Sequence, residues 1–212
     1  MNCGHDLTRG SQSEKVDMDL GIQIVEKPDW ISWDDIKQCL VDAHADNRAK
    51  GINMSHYQWP SERIKDSLGE RGFMLVALDG DKLIGTAAIG DKSSSYWYIA
   101  GKYAYVCFDG VIPRYRGRGI FRLLDSKREE NAQKRGFDVL VFDTHEKNVH
   151  RQKIALKNGY RYVRFFRAKG GDHYSVVMVK WLKSCPYSKL YCIWKFQLSK
   201  IKTLLLTKLF RR

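Results

Sequence analysis

The sequence predicts an α+β (α/β mixed) layer fold: a central mixed, mostly antiparallel sheet of about six to seven strands flanked by helices, with a basic amphipathic helix at the C-terminus. Three features predict it. Apolar runs at residues 73–78 and 82–89 flank Asp79-Gly80-Asp81, residue types suited to a tight hairpin turn. Residues 137–142 are apolar except for Asp138, which suits a strand covered on both faces. Around these, segments of helical spacing alternate with short apolar runs, and the last two runs form a β-pair.

Taken in order, residues 1–20 are polar and aperiodic and predict a mobile tail. Residues 22–26 predict a short strand. Ser32-Trp33-Asp34-Asp35 opens a helix, with a capping hydroxyl followed by acidic residues near the N-terminus; it runs to about Lys50, where Gly51 stops it. Trp59-Pro60-Ser61-Glu62 opens a second helix, which ends before Gly72. After the hairpin, residues 103–112 predict a strand, and residues 119–135 a helix built on Ile120, Leu123 and Leu124 and stopped by Gly136. Residues 137–142 predict a central strand and 148–157 a short helix ended by Asn158-Gly159; residues 160–166 and 174–181 predict the closing pair. The organisation is thus a tail (1–20), one domain (21–183) and a C-terminal helix (184–212).

Charge narrows the function classes. The net charge is +13, an excess that answers to an anionic partner such as nucleic acid, a membrane surface or a phosphorylated ligand. Seven basic residues and no acidic one lie between Pro186 and Arg212, leaving 13 − 7 = +6 for everything before. The five cysteines are scattered, with no CxxC pair, which argues against a disulfide framework or a zinc site. The N-terminus has no apolar run of signal-peptide length and no segment reaches the ~20 apolar residues that span a bilayer, so a cytoplasmic protein is expected.

The most informative stretch is Val111-Ile112-Pro113-Arg114-Tyr115-Arg116-Gly117-Arg118-Gly119-Ile120-Phe121-Arg122-Leu123-Leu124, which reads as strand, glycine-rich turn and helix. Such a turn presents backbone N–H groups at a helix N-terminus, where orphan donors and the helix dipole favour a phosphate oxygen. Arg114, Arg116, Arg118 and Arg122 add cations around a ligand with several phosphate charges. The spacing fits neither a Walker loop nor a dinucleotide fingerprint.

At these residues the chain resembles the GNAT superfamily of N-acetyltransferases, whose signature is [Q/R]-x-x-G-x-[G/A] after a strand ending in V-x-P. Arg114 to Gly119 matches the letters, but Val111-Ile112-Pro113 and Leu123-Leu124 favour the register that starts at Arg116, in which Phe121 stands where the family has a small residue. That ring either crowds the turn or points into the core. Asp143-Thr144-His145-Glu146-Lys147-Asn148 and the later Asn158-Gly159-Tyr160 look like the family's second segment, and the resemblance covers about residues 22–182. It implies acetyl-CoA as co-substrate, no metal, and an amine acceptor attacked directly. It further implies donor contacts from Asp109, Gly110 and Val111 on the fourth strand, from Arg116, Gly117, Arg118, Gly119, Ile120, Phe121 and Arg122 at the turn, and from Asn148. The tyrosine that protonates the leaving thiolate in the family is here Ala155.

A base must take the nucleophile's proton. Asp143 and His145, two residues apart at the fifth strand's end, are candidates that share a side of a strand; the alternative is a polar strand end capping the next helix. His173 and Tyr174, entering the last strand, offer a base near neutral pH and a phenol in place of the missing acid, against a purely structural role. His44 and Asn47 on the first helix are candidates for the acceptor pocket.

From Tyr187 onward, Leu190, Ile193, Trp194, Leu198, Ile201, Leu204 and Leu205 recur at helical spacing among lysines. A cationic amphipathic helix of this kind serves either a peripheral contact with the inner membrane surface or packing on the domain or a homodimer partner. Nucleic acid is not expected, because the arginines gather at one turn and the aromatics form no stacking motif. The readings of the whole are an N-acetyltransferase acting on a small molecule, amino sugar or protein; a catalytically silent acyl-CoA-binding module; and, last, a basic nucleic-acid-binding protein.

Overall fold

The computed structural model describes residues 21–52, 58–91, 96, 99, 101–168, 173–183 and 189–209. The tail expected at residues 1–20 and the Lys169-Gly170-Gly171-Asp172 loop lie outside them. The elements run β1 (Ile22–Glu26), α1 (Trp33–Ala43), α2 (Ala45–Ala49), α3 (Ser61–Leu68), β2 (Phe73–Asp79), β3 (Lys82–Gly90), β4 (Tyr103–Val111), α4 (Ile120–Lys134), β5 (Val139–His145), α5 (Val149–Lys157), β6 (Arg161–Arg167), β7 (Tyr174–Trp181) and α6 (Lys189–Leu209).

The seven strands form one sheet in the order β1-β2-β3-β4-β5-β7-β6. Every pairing is antiparallel except that of β4 with β5. The mixed, mostly antiparallel sheet expected from the sequence is therefore present, and the run at 137–142 supplies one of its interior strands.

Alternation along the strands divides the apolar residues between two faces. On one face Leu75, Ala77, Ala87, Ala104, Val106, Leu140 and Phe142 meet Ile120, Leu124 and Ala132 of α4. On the other, Met74, Val76, Leu78 and Ala88 pack with Ile36, Leu40, Ile64 and Leu68 of α1 and α3. That second face continues over β5 and β7, where Val139, Val141, Val177 and Val179 pack with Tyr96 and Ile99.

Two local departures from the sequence reading shape the site. The first helix stops at Ala43 and a separate turn, α2, follows His44, whose φ of −114° and ψ of 14° break the helical path. The cause is tertiary: the His44 ring lies 2.6 Å from the carbonyl of Asp109 in β4. The strand expected at 137–142 starts two residues later and runs on to His145, because its far half pairs with β7 through Asp143↔Val177 and His145↔Ser175.

Candidate active site

The centre of the site is an irregularity in β4. Register against β3 shifts between Thr86 and Ala88, and Phe108 has a φ of 53°, the left-handed conformation that a bulky residue rarely adopts. Thr86 Oγ1 holds this bulge by donating to the Phe108 carbonyl at 2.7 Å. The extra residue keeps Cys107 and Phe108 both on the α1–α3 side and turns Asp109 and Val111 to the α4 side. Gly110 then lies directly under α1, where a Cβ would approach the Ala43 Cβ to 2.7 Å, so only glycine allows this contact.

Next to the bulge the sheet opens. β4 and β5 pair only through Tyr103↔Val139, Ala104↔Leu140 and Tyr105↔Val141; beyond these the two strands diverge into a wedge. Ile112 donates to Ile84 of β3, whereas the Asp109 carbonyl meets His44 and the Val111 carbonyl accepts from Arg116 Nε at 3.1 Å. The Asp109 and Val111 carbonyls are therefore turned away from β3.

The glycine turn follows at the wedge's mouth. Gly117 and Gly119 have φ of 79° and 80°, and a Cβ on either would meet nothing within 4 Å. Glycine is there for the backbone conformation, and the turn faces open space. Gly119 caps α4, and the first helical donors, Arg122 and Leu123, both bond to its carbonyl, so the N–H groups ahead of them precede the helical ladder. Arg114, Arg118 and Arg122 are exposed around the turn. Arg116 is committed to the fold: its guanidinium reaches the Ala43 carbonyl at 2.6 Å and Asp46 at 2.5 Å, tying the turn to the α1–α2 junction. Ile120 is buried in the core, and the Phe121 ring packs against that core under the Arg151 guanidinium, 5.0 Å from its centroid.

A buried ionic cluster backs the wedge. Arg128 is fully buried and pairs with both Asp109 and Asp125, and Arg151 reaches Asp109 at 2.8 Å. Burial alone would lower the Arg128 pKa, but the two carboxylates raise it, so it stays charged. Arg128 Nε, Arg151 Nη1 and the Tyr160 hydroxyl are buried without a hydrogen-bond partner. The sequence reading did not single out these arginines, although Arg128 left a signal: it falls in the series Ile120, Leu124, Arg128, Ala132, a buried stripe at four-residue spacing.

On the opposite side of β5, Asp143 Oδ1 accepts from the Tyr96 hydroxyl at 2.5 Å and the Tyr105 hydroxyl at 3.0 Å. Burial and the Asp143 charge push the Tyr105 hydroxyl well up, so it remains a donor. His145, two residues on, is buried; its Nδ1 accepts from the Lys147 N–H at 3.0 Å, and its ring stacks on that of His173 with centroids 4.5 Å apart. Burial, then the neighbouring His173, lowers the His145 pKa, leaving a neutral imidazole. Asp143, His145 and His173 are thus gathered in one region. Tyr174 is not among them: its ring stacks on Phe165, 5.1 Å away. Asn148 caps α5 by accepting from Arg151 N–H at 3.4 Å and donates to Thr144 Oγ1 at 3.1 Å. In His44, Asn47 Nδ2 lies 3.0 Å from Nδ1, so Nε2 carries the proton given to Asp109, and burial lowers the pKa. Among the described residues no group of His, Cys, Asp and Glu is placed to hold a metal.

The backbone N–H groups of the glycine turn, at the mouth of a wedge between two parallel strands, are of the kind that receive phosphate oxygens. The chain belongs to the acetyltransferase (GNAT) family, whose sequence profile matches residues 33–160. Acetyl-CoA is the co-substrate of that family. Solved structures agree on the fold. The ribosomal-protein-S18-alanine N-acetyltransferase from Escherichia coli superposes with a TM-score of 0.58 at 16% identity, over 79% of this chain and 97% of its own. An acetyltransferase from Streptococcus agalactiae gives 0.58 at 21% identity, over 76% and 98%. A putative acetyltransferase from Salmonella typhimurium, solved with its cofactor acetyl-CoA, gives 0.58 at 17%, over 79% and 97%. Among curated proteins no sequence matches at a significant level.

Proposed function

We propose that this protein is an N-acetyltransferase that moves the acetyl group of acetyl-CoA directly to the amine of a small molecule, an amino sugar or a protein. The observation that carries the reading is the wedge between β4 and β5 with the open Gly117–Gly119 turn at its mouth. The pyrophosphate fits the turn and the N-terminus of α4, among Arg114, Arg118 and Arg122. The pantetheine fits the wedge, where the N–H groups of Asp109 and Val111 are available to it and to the thioester carbonyl.

The amine nitrogen attacks the thioester carbon, its proton passes to a base, the C–S bond breaks and a thiolate leaves as the amide forms. Asp143 is the base; the neutral His145 has its Nδ1 lone pair on the Lys147 N–H and carries its proton on Nε2, where it donates and so orients the acceptor. Ala155 gives α5 no phenol for the thiolate. Arg151 lies four residues earlier on the same helix face, and its guanidinium stabilises the sulfur's charge without giving up a proton. A cytoplasmic setting suits the donor, and Cys39 and Cys107 are free thiols.

Ala155 and Phe121 favour a second reading, a silent acyl-CoA-binding module. Release of free CoA thiol in the presence of a panel of amines separates the two. An amine-dependent release that falls at least ~10-fold in Asp143→Asn or His145→Gln supports the transferase. Binding of acetyl-CoA with no release for any amine establishes the silent module.

A further inference from the structure

The helix α6 stands outside the acetyltransferase chemistry, and its two sides differ. The inner side closes the edge of the sheet. β6 is the last strand, and the main chain of Phe165 on its free edge donates to Ser199 Oγ at 2.9 Å and accepts from Thr203 Oγ1 at 3.0 Å. Two hydroxyls one turn apart thus satisfy an edge that would otherwise offer itself to another strand. Phe196 stacks on Tyr162 beside them, and Cys192 is buried in the same row.

The outer side is apolar and open. At about 100° per residue, Trp194, Leu198, Ile201 and Leu205 form a stripe opposite the row of Cys192, Phe196, Ser199 and Thr203. These four are 60%, 45%, 55% and 56% exposed, an unusual concentration of large apolar side chains in solvent. Lys195 and Lys202 flank the stripe along one side, while Lys200 lies nearer the inner row, its Nζ 5.9 Å from the centroid of the Phe165 ring. No helix among the described residues is long and apolar enough to cross a membrane.

We infer that α6 docks the protein on an anionic lipid surface, lying in the plane of the interface with Trp194, Leu198, Ile201 and Leu205 entering the acyl boundary. Charge selects this occupant. From Pro186 to Arg212 there are seven basic residues and no acidic one. A second copy of the helix on the same stripe would set lysine against lysine with no carboxylate between them. Anionic headgroups complement the Lys195 and Lys202 flank, since lysines beside an apolar stripe reach outward to phosphates while their stems stay in the boundary. Sheet-edge pairing holds the helix on the domain, so the whole protein sits on the surface with the stripe facing lipid.

The test is co-sedimentation of the full chain with vesicles of phosphatidylcholine, with and without phosphatidylglycerol, beside light scattering of the free protein. The expected result is a monomer that binds the anionic vesicles at least ~10-fold more tightly than the neutral ones and detaches in high salt. Ile201→Glu and, separately, Lys195→Gln with Lys200→Gln and Lys202→Gln should each abolish binding. Ile201 is exposed, and the ring contacts of Lys195 with Tyr191 and of Lys200 with Phe165 are loose, at 5.8 and 5.9 Å, so the thermal transition should be unchanged and loss of fold is ruled out by that readout. Absence of anionic-vesicle binding by the wild type overturns the inference, as does a dimer that Ile201→Glu dissociates. Acetyl-CoA turnover, measured in parallel, reports on the transferase reading independently.

Discussion

Arg151 on α5 holds Asp109 on β4 across the gap where the two central strands separate, with Nη2 2.8 Å from Oδ2. Its guanidinium also lies 4.3 Å from the centroid of the Phe142 ring on β5, so one side chain spans both walls of the wedge. Arg151→Gln removes that charge while keeping polarity. Turnover should fall at least ~10-fold, with the affinity for desulfo-CoA changed less than about threefold, and Arg151→Lys should recover part of the rate. Unchanged turnover in Arg151→Gln would leave the thiolate without the stabilisation argued here.

Asp109 also balances Arg128, which is fully buried. Asp109→Ala leaves that guanidinium with Asp125 alone, and breaking a buried pair in this way costs about 3–5 kcal/mol. Thermal unfolding should shift down by on the order of 10 °C. A shift of under about 2 °C would mean that the cluster contributes little.

The pH dependence follows from the lowered pKa values of His145 and His44, whose ordinary value is 6.5. In both, the folded value lies below the unfolded one, so the unfolded chain binds more protons; stability is full above pH 6.5 and declines as pH falls toward and through the lowered folded values. His145 acts as the base only if Nδ1 takes the proton in place of the Lys147 N–H; the acid limb of kcat/KM then has its midpoint below 6.5 and disappears in His145→Gln. A limb that persists in that variant assigns the proton transfer elsewhere, with Asp143→Asn as the next test.

Ser199 and Thr203 seal the β6 edge. Ser199→Ala with Thr203→Val removes two hydrogen bonds worth ~1 kcal/mol each and should lower the melting temperature by roughly 4–8 °C. An unchanged melting curve would show that α6 is held by its ring contacts alone.

What the sequence made legible was local. The Asp79-Gly80-Asp81 hairpin, the strand ending at Val111 and the helix opened by Gly119 are all written in short-range chemistry, and the structure has them. The break at His44 depends on a carbonyl 65 residues away, and no propensity reports it. Arg128 and Arg151 do not stand out in the sequence, because their shared partner Asp109 lies 19 and 42 residues distant. The bulge at Phe108 is likewise invisible, since its register comes from pairing with β3 and from the Thr86 hydroxyl. Of the candidate bases, alternation along β5 placed Asp143 and His145 on one side; the stacking of His173 on His145 needed the three-dimensional path of β7.

Binding of the donor at the glycine turn is measured by calorimetric titration of the purified protein with acetyl-CoA and with desulfo-CoA, beside Gly119→Glu. Glutamate at that position would place a carboxylate at the glycine turn and force a side chain into a backbone φ of 80°. Micromolar binding of both ligands by the wild type, lost in Gly119→Glu with the fold intact by circular dichroism, is expected. No binding of either ligand by the wild type would contradict it.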